Sequence, residues 1–284
     1  MSNKLLKQSM ESFLKMLCRS ARNHKQGLHH YTTMSAFVRM LDSEKAYFSL
    51  LRTSNDGGEY KSDRHYMMCF SYGKEENIGL WGIYGIPRDE SICLTFPSKE
   101  IMDWLASAKN DEIEFFGVED RRRTVLLKDV CPNVSICDVA YYGGNVFTHR
   151  EKNFRVVGGR QTGIEPCQDP RLAPYVKKWA WSYEHEVRIV LEFDKPVLNS
   201  RGEPCERIAV DFDEPLQALR SGAGKIILGP WFRRSANTIR NRGFSKANIV
   251  PSEFTGMISL RTPCFECEDK RRKSCKCKHK KSMA

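Results

Sequence analysis

The run Trp181-Ser182-Tyr183-Glu184-His185-Glu186-Val187-Arg188-Ile189-Val190-Leu191-Glu192-Phe193 gathers residues whose types and spacing suit chemistry. Read as a strand over 184–193, strict alternation sets Glu184, Glu186, Arg188 and Glu192 on one face. His185, Val187, Ile189, Leu191 and Phe193 fill the other. The apolar face is core; the charged face is chemistry or surface. Same-face residues on a strand stand roughly 6.6 Å apart, so two carboxylates and a guanidinium form a row able to address one polar ligand. The alternative is an exposed strand whose Glu and Arg form a weak ion pair. Trp179 and Trp181, just upstream, favour chemistry. Aromatic bulk beside a carboxylate excludes water, and desolvation raises a Glu pKa towards the working range of a general acid or base.

A second polar constellation, Leu28-His29-His30-Tyr31-Thr32-Thr33, sits at a predicted strand-to-helix transition. Imidazole offers both a donor and an acceptor, so these histidines can bind ribose hydroxyls or phosphate, or simply be satisfied structural groups. Leu80-Trp81-Gly82-Ile83-Tyr84-Gly85 supplies Trp81 and Tyr84 three positions apart, which share a face on a helical turn. They form either a core cluster or a stacking platform for a planar ring.

A third constellation follows Pro263: Cys264-x2-Cys267-x7-Cys275-x-Cys277, then His279. Two close thiolate pairs can wrap one tetrahedral zinc, with Cys277 and His279 as alternative ligands because the second pair is tightly spaced. Zinc would order a segment too polar to fold by burial, and would hold Lys270, Arg271, Arg272, Lys273, Lys276 and Lys278 as a cationic knob. The alternative is a disordered Lys-rich tail.

The elements that must position these groups follow from periodicity. Strands are expected at 65–72, 91–96, 112–117, 135–142, 184–193, 207–212 and 225–229, and helices at 33–43, 98–109, 170–180, 214–220 and 235–242. Ser98 is the expected N-cap of the second of these helices. Asn55-Asp56-Gly57-Gly58, Gly143-Gly144, Gly158-Gly159 and Ser221-Gly222-Ala223-Gly224 mark loops, and none matches a Walker loop or a dinucleotide fingerprint. Irregular alternation of strands and helices predicts an α+β fold with a mixed, mainly antiparallel sheet core and flanking helices, not a doubly wound sheet. Three parts are expected: an amphipathic helix within residues 1–23, an α+β body over 24–263, and the basic Cys-rich tail 264–284.

Composition limits the function classes. The 284 residues, 40% apolar, can bury a full core, and no apolar stretch approaches the roughly 18 residues that span a bilayer. A soluble, cytoplasmic protein with no membrane partner is expected. With no signal sequence and an odd count of 11 cysteines, reduced thiols are the better reading. The net charge of +11 is uneven: residues 264–284 hold eight Lys/Arg against Glu266, Glu268 and Asp269. Arg121-Arg122-Arg123 and Arg233, Arg234, Arg240, Arg242 and Lys246 form further basic clusters. Such charge favours nucleic acid over membrane as a polyanionic partner, against the plain alternative of solubilising charge.

Several short motifs fall in an ordered set: His30-Tyr31-Thr32, Asn55-Asp56-x2-Glu59, Cys69-Phe70-Ser71, Leu80-Trp81-x2-Tyr84, Val139-x-Tyr141, Lys178-Trp179 through Tyr183-Glu184-x-Glu186-x-Arg188-Ile189, and Ile226-Ile227-Leu228-Gly229. Over about residues 28 to 255 this order resembles the bacterial family known as domain of unknown function 2971, which carries no established activity. More distantly, an early His, a later aromatic and a late Glu-x-Glu are similar to the layout of ADP-ribosyltransferases. That resemblance implies a split-sheet architecture with NAD as substrate. It implies that His30 binds the nicotinamide-side ribose and that Glu186 stabilises the oxocarbenium-like transition state, with Glu184 on the acceptor side. Tyr47 and Tyr84 both fit the stacking position, Tyr31 flanks His30, and Arg188 holds the carboxylate or a pyrophosphate oxygen.

Two functions therefore compete. One is an NAD-consuming transferase or glycohydrolase guided by basic surface to a nucleic-acid or protein target. The other is a non-catalytic nucleic-acid-binding protein with a zinc-ordered tail, whose Glu184/Glu186/Arg188 row is a structural ion-pair network. A metal-dependent nuclease ranks third, because only the Glu184/Glu186 pair resembles a Mg2+ ligand set. The transferase reading makes a spatial demand: His30, Glu186 and Tyr47 or Tyr84 must converge on one cleft.

Overall fold

The computed structural model describes residues 5–54, 61–73, 76–108, 112–115, 123–131, 133–157, 165–244 and 247–257. The chain begins β1 (Leu6–Ser9), α1 (Met10–Arg22), β2 (Leu28–Thr33), α2 (Met34–Ser43), β3 (Lys45–Leu50), β4 (His65–Tyr72) and α3 (Ile78–Tyr84). It continues through β5 (Ser91–Phe96), α4 (Ser98–Ser107), β6 (Glu112–Phe115), β7 (Arg123–Leu126), α5 (Leu127–Val130), β8 (Asn133–Asp138), β9 (Ala140–Gly143), β10 (Val146–His149) and β11 (Lys152–Val157). The last part holds β12 (Val176–Lys178), β13 (Glu186–Glu192), β14 (Arg207–Asp211), α6 (Asp213–Ser221), β15 (Lys225–Leu228), α7 (Asn237–Arg240) and β16 (Asn248–Pro251). This is the expected α+β class, with mostly antiparallel pairing.

Eleven strands form a branched sheet. Strand β4 pairs with β13 through seven residue pairs, and β13 with β8, making a stem. The opposite edge of β4 is shared. Its start pairs with β3 at Ser49↔Met67 and Leu50↔Tyr66, and its end pairs with β2 at Leu28↔Tyr72 and His29↔Ser71. Between these contacts Met68, Cys69 and Phe70 have no ladder partner from β2 or β3. From that point β2 leaves with β5, β15 and β16, while β3 leaves with β14, β6 and β7. The helix between them, α2, closes the outside of the wedge; its N-cap Thr33 accepts from the Ala36 N–H.

A second, five-stranded sheet runs β1-β11-β10-β9-β12. With α1 it covers one face of the stem, where Phe13, Leu17, Phe147, Phe154, Val176 and Val190 form one core. The other face carries Val187, Ile189 and Leu191 into the main core with Phe37, Phe48, Phe96 and Phe212. Strand β13 is thus buried on both sides.

Several expectations are corrected. The helix expected at 170–180 is a series of 3-10 turns, Ala173–Tyr175 and Trp179–Glu184, around the short strand β12. Pro174 removes a donor, and β12 gains a parallel ladder with β9 instead. The strand 184–193 starts only at Glu186: Glu184 ends a 3-10 helix, and His185 turns the chain in the left-handed region at φ 45°. The four charged residues therefore do not form one strand row. The strand 135–142 breaks at Val139 into β8 and β9, which belong to different sheets. Ser98 is not an N-cap; Pro97 takes that position, and the Ser98 hydroxyl donates to the Gln26 carbonyl. The N-terminal segment adds β1, paired in parallel with β11, ahead of α1.

Candidate functional site

A cavity of about 450 Å3 lies in the wedge where β2 and β3 part from β4. Its lining includes His30, Tyr31, Tyr47, Tyr84, Glu184, Glu186 and Arg188, so every candidate site residue of the body meets there. Both Tyr47 and Tyr84 are present, and the demand for a single cleft is met in geometry. The unmatched carbonyl of Cys69 on the β4 edge accepts from His30 Nδ1 at 2.9 Å. That bond assigns the proton to Nδ1 and leaves Nε2 as the acceptor. Burial holds His30 below its ordinary pKa, so the ring is neutral near pH 7.

The floor is a cluster of four charges. Strand β12 delivers Lys177, whose Nζ donates to Glu184 Oε2 at 2.6 Å and lies 3.0 Å from Glu186 Oε2. Arg188 grips Glu186 in a fork, Nε to Oε1 at 2.9 Å and Nη2 to Oε2 at 3.3 Å, and its Nη1 reaches the carbonyls of Ala173 and Pro174. The Tyr84 hydroxyl donates to Glu184 Oε1 at 2.9 Å. All four charged groups are 5% exposed or less. The charged face of β13 is neither surface nor an exposed ion pair, because the second sheet covers it.

The two carboxylates are driven apart. Burial opposes charge on Glu186, but Arg188 and Lys177 outweigh it and hold the group well below the usual range. For Glu184 burial wins, reinforced by the neighbouring Glu186 anion, and its pKa is raised even though Lys177 and Tyr84 pull the other way. Burial penalises the Lys177 ammonium too, yet Glu186 and Glu184 keep it charged. Burial pushes the Tyr84 phenol up, so it stays a donor. The site thus holds one firmly ionised carboxylate and one carboxyl that keeps its proton to higher pH than an ordinary glutamate.

Tyr31 borders the cavity, but its hydroxyl accepts from the Asn77 N–H and its ring packs edge-on against Trp81 at 4.8 Å. Its role is structural as much as lining. Trp179 does not shield the carboxylates: it is 54% exposed. Trp181 meets the cluster through Lys177, whose Nζ lies 5.2 Å from its ring centroid. Nothing in the sequence marks Lys177, because in a Lys-Lys-Trp run a buried lysine looks like its exposed neighbour. Strand β12 shows no alternation, since Val176 and Lys177 are both buried and only Lys178 is exposed, and three residues are too few to show a period.

Cys264, Cys267, Cys275, Cys277 and His279 lie outside the described residues, as do Arg121, Arg122, Lys246 and the Asn55–Glu59 turn. Among the described residues no group of His, Cys, Asp and Glu has metal-site geometry, and the described cysteines are free thiols. No described helix is long and apolar enough to cross a membrane. The basic stretch near 233–242 is partly neutralised: Arg234 pairs with Asp89 and Glu90, and Arg242 with Asp42. No family model, curated protein or solved structure matches this chain.

Proposed function

We propose that the wedge cavity is the site of an NAD-consuming enzyme that breaks the N-glycosidic bond to nicotinamide, as a glycohydrolase or an ADP-ribosyltransferase. The observation that carries this reading is the meeting of His30, Tyr84, Glu184 and Glu186 in one cavity, with the two carboxylates pushed in opposite directions. The volume falls within the range of small-molecule pockets. The order of residues that is similar to the ADP-ribosyltransferase layout supports the same reading.

In this mechanism His30 Nε2 accepts from a ribose hydroxyl and so orients the sugar. Glu186, kept ionised, faces the cation that develops at the anomeric carbon. The carbon–nitrogen bond breaks with its electron pair going to nicotinamide, which leaves neutral and needs no acid. Water or an acceptor group forms the new bond to that carbon, and its proton passes to Glu184. The raised Glu184 pKa makes its carboxylate a stronger base than an ordinary glutamate. Tyr84 and Lys177 hold the Glu184 carboxylate in place. Tyr84 and Tyr47 remain the two rings able to face nicotinamide.

The same proposal gives the tail a targeting role, with zinc on Cys264, Cys267, Cys275 and Cys277 ordering its lysines and arginines for nucleic-acid backbone contact. Incubating the purified protein with NAD, with and without nucleic acid, and following nicotinamide release tests the central claim. Release that vanishes in Glu184→Gln supports it. A wild-type protein that neither binds NAD nor releases nicotinamide sinks it.

A further inference from the structure

The wedge does not end at the cavity. A second hollow of about 310 Å3 adjoins it, lined by His30, Thr32, Arg39, Met40, Tyr47 and Arg207. His30 and Tyr47 line both spaces, so the two lie in series between β2 and β3. Alternation places His30 and Thr32 on one face of β2. Across the wedge Arg207 on β14 stands opposite Ser49 of β3, and Tyr47, two residues along, shares that face. Arg39 comes from α2, which roofs the wedge.

The two arginines differ from their basic neighbours. Lys45 is paired with Asp211, Arg220 with Asp213 and Glu44, and Arg242 with Asp42. Among the described residues neither Arg39 nor Arg207 has an ion-pair partner, although both are exposed and border the same hollow. Two unpaired guanidiniums at the mouth of a cavity form an anion site of defined shape, because each offers a planar fork of donors to oxygen.

We propose that this outer hollow is a diphosphate subsite, in which Arg39 and Arg207 hold the two phosphates of a dinucleotide whose sugar lies against His30. The sugar's place rests on the proposed N-glycosidic reading; the anion site rests on the arginines. The two guanidiniums stand apart from the stem cluster, where Lys177 and Arg188 are already matched by Glu184 and Glu186.

ADP-ribose, inorganic pyrophosphate and nicotinamide riboside, titrated calorimetrically into the full chain and into the double variant R39Q/R207Q, test the subsite. Both side chains are exposed, so the variant should keep the wild-type melting temperature. Expected is a loss of about tenfold or more in affinity for ADP-ribose and pyrophosphate, with nicotinamide riboside unchanged. Equal ADP-ribose affinity in both proteins, or an equal loss for the phosphate-free riboside, overturns the subsite. So does a loss confined to a single-stranded oligonucleotide, which would make the arginines a nucleic-acid contact. The two proposals fail separately. Arginine-dependent ADP-ribose binding without nicotinamide release sinks only the glycosidic reading; nicotinamide release with unchanged KM in R39Q/R207Q sinks only the subsite.

Discussion

Two clusters of buried charge flank the stem, and they are built to opposite ends. One is the Lys177, Glu184, Glu186, Arg188 group beneath the wedge. The other centres on Asp138 at the end of β8, fully buried, where His24 Nε2 lies 2.6 Å from Oδ1, His149 Nε2 2.8 Å from Oδ2, and Arg150 Nη2 3.3 Å from Oδ2. Burial opposes the Asp138 charge, but hydrogen bonds from His149 and His24 prevail and hold its carboxyl well below the usual range. One anion is saturated with donors, and it ties α1, β8 and β10 together. The wedge cluster has two carboxylates for two cations, and one of them is left with a raised pKa. A cavity of about 700 Å3 borders the second cluster through His149 and Arg150, but Asp138 does not line it. In the wedge both carboxylates do. Saturation makes a staple; incomplete compensation facing a cavity leaves a carboxyl with a raised pKa, the group that the proposed reaction would use as its base.

The sharpest test of that contrast is Glu184→Gln. It keeps size and the Tyr84 contact, so nicotinamide release should fall about 10^2- to 10^4-fold while NAD still binds, as expected for a lost general base. Undiminished turnover would place Glu184 with the staples. The reciprocal change, Asp138→Asn, should cost about 3–5 kcal/mol of stability, because it strips the counter-charge from buried donors. Denaturant unfolding measures this, and turnover per folded molecule should remain. Arg188→Met should cost a similar amount by uncovering Glu186. Glu186→Gln is therefore a poor probe of chemistry unless its unfolding is measured alongside.

Acid titration discriminates next. Glu186 and Asp138 have folded pKa values below their ordinary 4.5 and 3.8, so the stability they supply is complete above those values and is lost as pH falls through the folded ones. Glu184 has the opposite sign: raised in the fold, it binds a proton there that the unfolded chain has released, so its contribution weakens as pH climbs from 4.5 through the folded pKa. Unfolding of Glu184→Gln should lack that decline, while catalysis in the wild type rises across the same interval. A wild-type stability curve unchanged by the substitution above pH 4.5 would contradict the raised value. The smallest effect belongs to Tyr84→Phe. Losing one hydrogen bond costs about 1 kcal/mol, and it moves the rising limb of the pH–rate profile to higher pH, since Tyr84 lowers the Glu184 pKa. An unmoved limb would detach Tyr84 from the working carboxyl.

Much of the fold could be read from the chain because it rests on local periodicity. The strands at 65–72 and 91–96 follow from short apolar runs, and the helix expected at 33–43, found as Met34–Ser43, from 3.6-residue spacing. The region 165–185 could not, because its residues serve long-range pairing and turns. Three-residue β12 and the left-handed His185 have no sequence period. Residue type and order single out His30, Tyr84, Glu184 and Glu186, and the fold gathers them around one cavity. What the sequence hid was that the charged face is buried. A sheet covered on both sides normally reads as a continuous apolar run, and Glu186 and Arg188 break that run only because each compensates the other.

The fork itself has a consequence for how this protein can change. Most internal voids exist because a side chain is small, and a larger one fills them. Here the space arises where two strands leave a shared edge after two residue pairs each, so it is written in the path of the main chain. Exchanging Met68, Ile83 or Ser49, which line it, re-cuts the walls without erasing the room. Ligand preference can therefore drift by single substitutions while the vacancy is inherited intact, which makes this wedge a versatile plot for divergent chemistry.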